Sequence, residues 1–421
     1  MNGFPFGGVT REGASLLTAA NPDLKWESVV TQNIGLDLRL FNNRLGISAD
    51  VFSRKNKDML LRKSVPYYVG YYISDAGQEL GDAKLDTRPL VNYGTLNNSG
   101  FEFTVDYKDQ IGDLKFSVNA NLTSAKTIID DIGDPLLAGN GRGLSNICRT
   151  QNGESVSTFY GYKTDGIYQE EDFFWYLAKN GKWAQGIEVP NGKETVTGKD
   201  ANGNPISFQT NSLKAKPGNL KFVDTDGDGL VTVKDMTAIG DPNPDFVYGF
   251  GANFEYKNFD LNLFFQGSYG NEIYNMLKVN LYTVNNGSTN YSKDMLNSFI
   301  PATYDTKLKT QNPSVITPAE NTESGIMRMD GDLASSDFYV EDGSYLRLKN
   351  IQLGYTLPES VTKKLRISSA RFYIGAKNLL TFTKYTGFDP EVGETTLLER
   401  GFDKATYPQS KLFIFGVNLS F

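Results

Sequence analysis

The 421-residue sequence predicts an all-β fold, an antiparallel transmembrane β-barrel with long extracellular loops. Three observations lead there. Hydrophobic residues recur at every second position along many segments, which is the period of a strand with one apolar face. The segments are rich in aromatics at their ends. The connections between them alternate strictly between short and long. The composition, 39% hydrophobic and 13% aromatic, is too apolar for a disordered chain.

The alternation can be read segment by segment. In "FDLNLFFQGSY", Phe259, Leu261, Leu263, Phe265 and Tyr269 share one face, and Asp260, Asn262, Gln266 and Ser268 the other. "DFVYGFGANFEY" sets Phe246, Tyr248, Phe250, Phe254 and Tyr256 against Gly249, Gly251, Asn253 and Glu255. "LKFSVNANLT" and the final "KLFIFGVNLSF" repeat the pattern. Nine strands are expected, at 26–41, 45–61, 93–107, 114–128, 246–256, 259–273, 345–357, 369–383 and 411–421. In "YLRLKNIQLGY", Leu346 and Leu348 fall out of phase with Ile351 and Leu353. A bulge near Asn350 is one explanation, and a charged residue at the rim is another.

Between the strands, "FNNR", "KDQIGD", "YKN" and "PESVTKKLRIS" are tight links, whereas 62–92, 129–245, 274–344 and 384–410 are long. Bacterial outer-membrane barrels have short periplasmic turns and long extracellular loops, and a soluble sandwich has no reason to sort its loops so. A half-buried soluble sheet would share the period of two. A soluble, secreted calcium-binding β module with a binding or structural role is therefore the alternative reading. Nine is an odd number, and single-chain bacterial barrels are even. The chain is thus expected to be the C-terminal portion of a larger barrel over 1–421, with 129–245 as a large extracellular insertion. No basic region followed by an apolar run opens the sequence, and no run approaches 18 apolar residues.

Several chemistries are excluded. The chain has no histidine, which removes Ser-His-Asp and Cys-His catalysis and His-ligated zinc. Cys148 alone can form neither an internal disulfide nor a Cys-x-x-Cys site. A net charge of −7 argues against nucleic acid. Acidic pairs such as those in "EVGETTLLER" are expected by chance among 49 acids, so no enzyme is read here and no catalytic residue is assigned.

One stretch is spelled for a metal. In "DTDGDGLVTVKD", Asp224, Asp226 and Asp228 take positions 1, 3 and 5 of a calcium loop. Gly229 supplies the sharp turn, the Leu230 carbonyl serves at 7, Thr232 sits at 9 and Asp235 closes at 12. Structural calcium is the cofactor expected, as a staple for the outer loop. Within that loop, "DFFWYLAKNGKWAQG" is expected to form a short helix and a turn. Its Phe173, Phe174, Trp175 and Trp183 would anchor the loop. In "PYYVGYY", Tyr67, Tyr68, Tyr71 and Tyr72 are expected at the membrane interface or in loop packing, with contact to substrate as a third role.

"NPDLKWESVVTQNIGLDLRLFNNRLGISADVFSRKNKDML" resembles the barrel segment of SusC-like (SusC/RagA) TonB-dependent outer-membrane transporters. So do "VNYGTLNNSGFEFTVDY", "FYGYKTDGIYQ", "GSYLRLKNIQLGYTLP" and "FYIGAKNLLTFTKYTGFDPEV", in family order from Asn21 to Phe421. The resemblance implies a 22-stranded barrel, an N-terminal plug and a TonB box, none of which except barrel wall is recognisable in this sequence. It also implies a SusD-like surface lipoprotein as partner. The implied activity is TonB-dependent import of oligosaccharides, or in some members peptides, across the outer membrane of a Bacteroidetes-type bacterium. It further implies that Phe421, ending an aromatic strand, is read by the barrel assembly machinery. The chain would be multi-pass in the outer membrane and in contact with its lipid.

Overall fold

The structure is a computed structural model. It describes residues 3–6, 9–12, 21–62, 78–80, 83–85, 89–178, 181–186, 195–199, 205–209, 215–228, 231–283, 290–307, 312–328, 333–364, 366–392 and 396–421. Nine long strands form one sheet. They are β1 (Ser28–Leu40), β2 (Leu45–Arg62), β3 (Leu90–Ile111), β4 (Leu114–Asp131), β5 (Phe246–Tyr256), β6 (Phe259–Tyr269), β7 (Tyr345–Thr356), β8 (Ser369–Thr383) and β9 (Leu412–Ser420). Each pairs antiparallel with the next in sequence, so the sheet is an unbroken meander with β1 and β9 at its edges. All nine expected strands are present. β3 runs longer than expected and reduces the "KDQIGD" link to Gly112 and Asp113. β6 stops at Tyr269, and Glu272–Asn275 joins a separate small sheet.

Turn chemistry explains the tight ends. Phe41, Asn42 and Asn43 all take left-handed φ of 52–63°, which asparagine tolerates by bonding its own backbone. Gly112, at φ 59°, needs no such help.

Cross-strand register fixes the faces. Leu353 pairs with Leu261, Ile351 with Leu263, Leu348 with Phe265 and Leu346 with Gly267, so all four leucine and isoleucine side chains of β7 lie on the apolar face. The pairing skips Lys349 between Leu348 and Asn350, and the bulge explanation of the phase slip is the one that holds. Register also puts Phe264 on the polar face, opposite Gly251 and beside Asn350. The apolar face carries exposed aromatics at both ends: Tyr256, Phe259 and Phe372 near the turns, Trp26, Tyr269 and Phe382 near the loops. Paired aromatic belts are the mark of a sheet that meets lipid.

Three of the long links carry a packed core among their described residues. Segments of 129–245, 274–344 and 384–410 share one buried core of Leu144, Ile147, Cys148, Phe159, Tyr274, Met276, Val279, Tyr339 and Phe402. Phe402 and Asp403 add in parallel to Tyr274 and Asn275, which ties the last link to the middle one. A second core joins Ile167, Leu220, Phe299 and Met327. The three links therefore fold as one cap at the loop end of the sheet. Burial pushes the Cys148 thiol up to about 11, which makes it inert.

The expected helix over "DFFWYLAKNGKWAQG" is corrected to a hairpin. Phe174–Leu177 pairs with Trp183–Gly186, after a short 3-10 turn at Glu170–Asp172. An aromatic run followed by Asn-Gly is a hairpin signal, and strand propensity prevails over helix here. The anchoring role does fit: Trp183 is buried, Phe173 meets Tyr168 edge-on, and Trp175 meets Tyr304.

Candidate functional site

Two regions concentrate chemistry-bearing side chains: the polar face of the nine-stranded sheet and the Asp-rich loop of the cap.

On the polar face an amide chain crosses four strands. Asn350 Nδ2 donates to Asn262 Oδ1 at 2.8 Å, Asn262 donates to Asn253, and Asn253 Nδ2 donates to Ser117 Oγ at 3.3 Å. Two ion pairs each skip a strand. Arg39 of β1 reaches Asp106 of β3 at 2.8 Å across Gly46 of β2, and Arg371 of β8 reaches Asp260 of β6 at 2.5 Å across Gly354 of β7. A Cβ at either glycine would collide with the overlying side chains. Glycine therefore lets long side chains lie flat along the wall. A recess of about 520 Å³ on this face is lined by Thr31, Asn33, Asp50, Phe52, Arg54 and Glu102, among others.

At the loop end, Arg347 of β7 is only 2% exposed. Its guanidinium donates to Asp389, to Glu391 Oε2 at 2.8 Å and to Thr381 Oγ1 at 2.9 Å. Lys349 Nζ adds a 2.6 Å contact to the same Glu391 carboxylate. Arg347 and Lys349 together pin Asp389 and Glu391 of the cap to the wall, while Asn350, just past the bulge, bonds Asn262. Burial alone would raise the Asp389 carboxyl. Arg347, with backbone N–H donors from Gln409 and Glu391, outweighs burial and holds it below the usual range. The acids of "EVGETTLLER" looked like chance pairs in sequence, and nothing there names Arg347 as a partner some 40 residues away.

In the Asp-rich loop, carboxylate oxygens of Asp224, Asp226 and Asp235 lie within 4.8 Å of one another. Asp228 is not part of that group, and Gly229 and Leu230 fall outside the described residues. Asp235 has no exposed surface and clamps the backbone. Its Oδ1 accepts from Thr225 N at 2.7 Å and Asp226 N at 3.2 Å, and its Oδ2 accepts from Thr232 N at 2.7 Å. Thr232 Oγ1 in turn accepts from Lys234 N at 3.2 Å. Thr232 and Asp235 form a capping box, a Thr-x-x-Asp signal that was readable in the sequence. Three hard oxygen donors of this kind suit calcium, and Asp235 Oδ2 keeps lone-pair capacity beyond its N–H partner.

Of the other expected site residues, Tyr67, Tyr68, Tyr71 and Tyr72 lie outside the described residues. Phe421 follows β9 and is 89% exposed.

A long antiparallel meander with a belted apolar face, a polar opposite face and a cap on its long-loop end is a segment of an outer-membrane β-barrel wall. The model of the family "TonB dependent receptor-like, beta-barrel" matches residues 3–147. The TonB-dependent receptor P3 of Formosa agariphila is 32% identical over 97% of this chain and 36% of its own length. The TonB-dependent receptor SusC of Bacteroides thetaiotaomicron is 26% identical over 99% of this chain and 34% of its own length. A solved structure of the RagAB peptide transporter superposes over 99% of this chain and 38% of that one, with a TM-score of 0.62 at 24% identity. The chain is a portion of a TonB-dependent receptor β-barrel of the SusC/RagA-like kind. It spans about 36% of the length of the curated relatives it matches.

Proposed function

We propose that the whole protein imports oligosaccharides across the outer membrane, powered through TonB, with a SusD-like surface lipoprotein as its companion. This chain supplies wall and cap to that machine and makes or breaks no bond. The observation that carries the reading is the joining of an amide-lined polar wall to a single folded cap: Asn253, Asn262 and Asn350 present uncharged donors and acceptors beneath it. Uncharged amides suit sugar hydroxyls, whereas a nucleic acid would call for a basic wall. The likeness to RagAB, a peptide transporter, keeps peptides as the second cargo and supports a companion subunit. Deleting the full-length gene should abolish uptake of some members of a labelled oligosaccharide pool while uptake of monosaccharides is unchanged. Loss confined to a labelled peptide pool would replace the glycan reading, and no loss from either pool would end the transport reading.

We also propose that the loop 224–235 holds a structural calcium through Asp224, Asp226 and Asp235, with Asp228, Leu230 and Thr232 completing the shell. The convergence of three carboxylates supports it. When bound, the ion supplies positive charge that keeps these acids together and orders the loop. Calcium removal, or Asp224→Ala with Asp228→Ala, is expected to speed proteolysis between 215 and 245 while the barrel stays intact. Unchanged cleavage, together with no calcium uptake at millimolar concentration by calorimetry, would end this reading.

A further inference from the structure

The apolar face changes character across the sheet. On β5 to β8 it stays aromatic to the loop end, with Phe246, Tyr269 and Phe382 at the rim. On β1 to β4 a polar and basic band interrupts it, with Val30 and Ile128 in the row above and Trp26 before β1. The row above Ile34, Val51 and Phe101 reads Gln32, Ser53, Ser99 and Lys126, paired straight across four strands. Above Ser53 on β2 stand Lys55, paired with Asn97, and Lys57, paired with Ser28, both on the same face.

Height places these lysines. Lys57 lies 12 residues along β2 from Leu45, and Lys126 lies 12 residues along β4 from Leu114. At about 3.3 Å per residue and a tilt of about 45°, each stands about 28 Å above the turn end. The apolar band of such barrels is about 25 Å tall, so both ammonium groups reach the outer headgroup layer, with their stems over apolar surface. Lys55 is neutralised by Asp130 at 2.6 Å. Lys57 and Lys126 are exposed, and neither pairs with a carboxylate among the described residues. On a chain of net charge −7, two uncompensated cations on the membrane-facing side call for an anion in the membrane.

We propose that this face binds a phosphorylated glycolipid of the outer leaflet, with Lys57 and Lys126 meeting its phosphates and Ser53, Ser99 and Gln32 its sugar hydroxyls. The inference rests on the barrel's orientation in the membrane and is independent of what the transporter carries.

The test uses the full-length barrel purified from outer membranes and stripped of lipid, with native mass spectrometry as the readout. The added probe is lipid A with its phosphates. Wild type should retain it, Lys57→Gln with Lys126→Gln should bind about tenfold or more weakly, and Lys257→Gln at the turn end should match wild type. Dephosphorylated lipid A should bind wild type no better than the double variant binds the phosphorylated form. If the double variant fails to insert, Lys126→Gln alone carries the test, with a loss of at least threefold expected. Equal retention by wild type and variant would overturn the site. Equal retention of the dephosphorylated lipid would overturn the role of phosphate. Phosphatidylglycerol or inorganic phosphate holding as tightly as lipid A would overturn the glycolipid assignment.

Discussion

At the scale of the residue, Asp235 and Arg347 carry the most weight. Burial would raise the Asp235 carboxyl, yet the N–H groups of Thr232, Asp226 and Thr225 outweigh it and hold the pKa below the usual range. A carboxyl lowered by folding contributes stability that is complete above its unfolded value, about 3.9, and is lost as pH falls through the folded value. The amides of 224–235 are therefore expected to exchange faster with deuterium as pH drops below about 4, ahead of those in β2 to β8. Asp235→Ala should loosen the same loop at neutral pH even in millimolar calcium, because each buried N–H left without an acceptor costs about 1–3 kcal/mol. A loop that exchanges no faster in that variant would refute the clamp. Arg347 gives the second prediction at this scale. Arg347→Met leaves Asp389 and Glu391 without their guanidinium, and breaking a buried pair costs about 3–5 kcal/mol. Cleavage of 384–410 by added protease should rise while β1 to β6 stay resistant.

At the scale of the element, the strands obey the alternation and the cap does not. Leu263→Arg on β6 puts a charge on the lipid face and should cost about 2–4 kcal/mol near mid-membrane, whereas Asn262→Arg, one residue away, should cost much less. Unfolding from liposomes by denaturant measures both, and equal costs would reverse the assigned phase. The same contrast explains what the sequence could disclose. Period two over nine to 22 residues marks the barrel strands, because one face meets lipid along most of each strand. Lys349 broke the pattern visibly and was readable as a bulge. Phe264 was not readable, since an apolar residue on a polar face follows no period and only pairing reveals it. The cap strands are two to five residues long, too short for a local period to mark them, and some pair with partners far away, as Tyr274 does with Phe402. In the Asp-rich loop the spacing of acids was legible, but the commitment of Asp235 to backbone N–H groups depends on how tightly the loop closes.

At the scale of the whole molecule, one open sheet and one cap account for most of the described residues. Both sheet edges present unpaired backbone: all thirteen residues of β1 are exposed, and so are most of β9. Such edges are untenable in hydrocarbon, where each unpaired group costs several kcal/mol, so further strands must close the wall. The cap lies at the long-loop end and the tight turns at the other, and the central claim is that the first faces the medium and the second the periplasm. Cysteine labelling of the full-length protein in intact cells, with a membrane-impermeant maleimide, tests this most directly. Cys148 is buried and stays silent. Ser324→Cys in the cap and Asp113→Cys in the β3–β4 turn are both exposed positions. Labelling of Ser324→Cys in intact cells, with Asp113→Cys reacting only after the outer membrane is permeabilised, is the predicted result. The reverse pattern, or equal labelling of both in intact cells, would contradict the account.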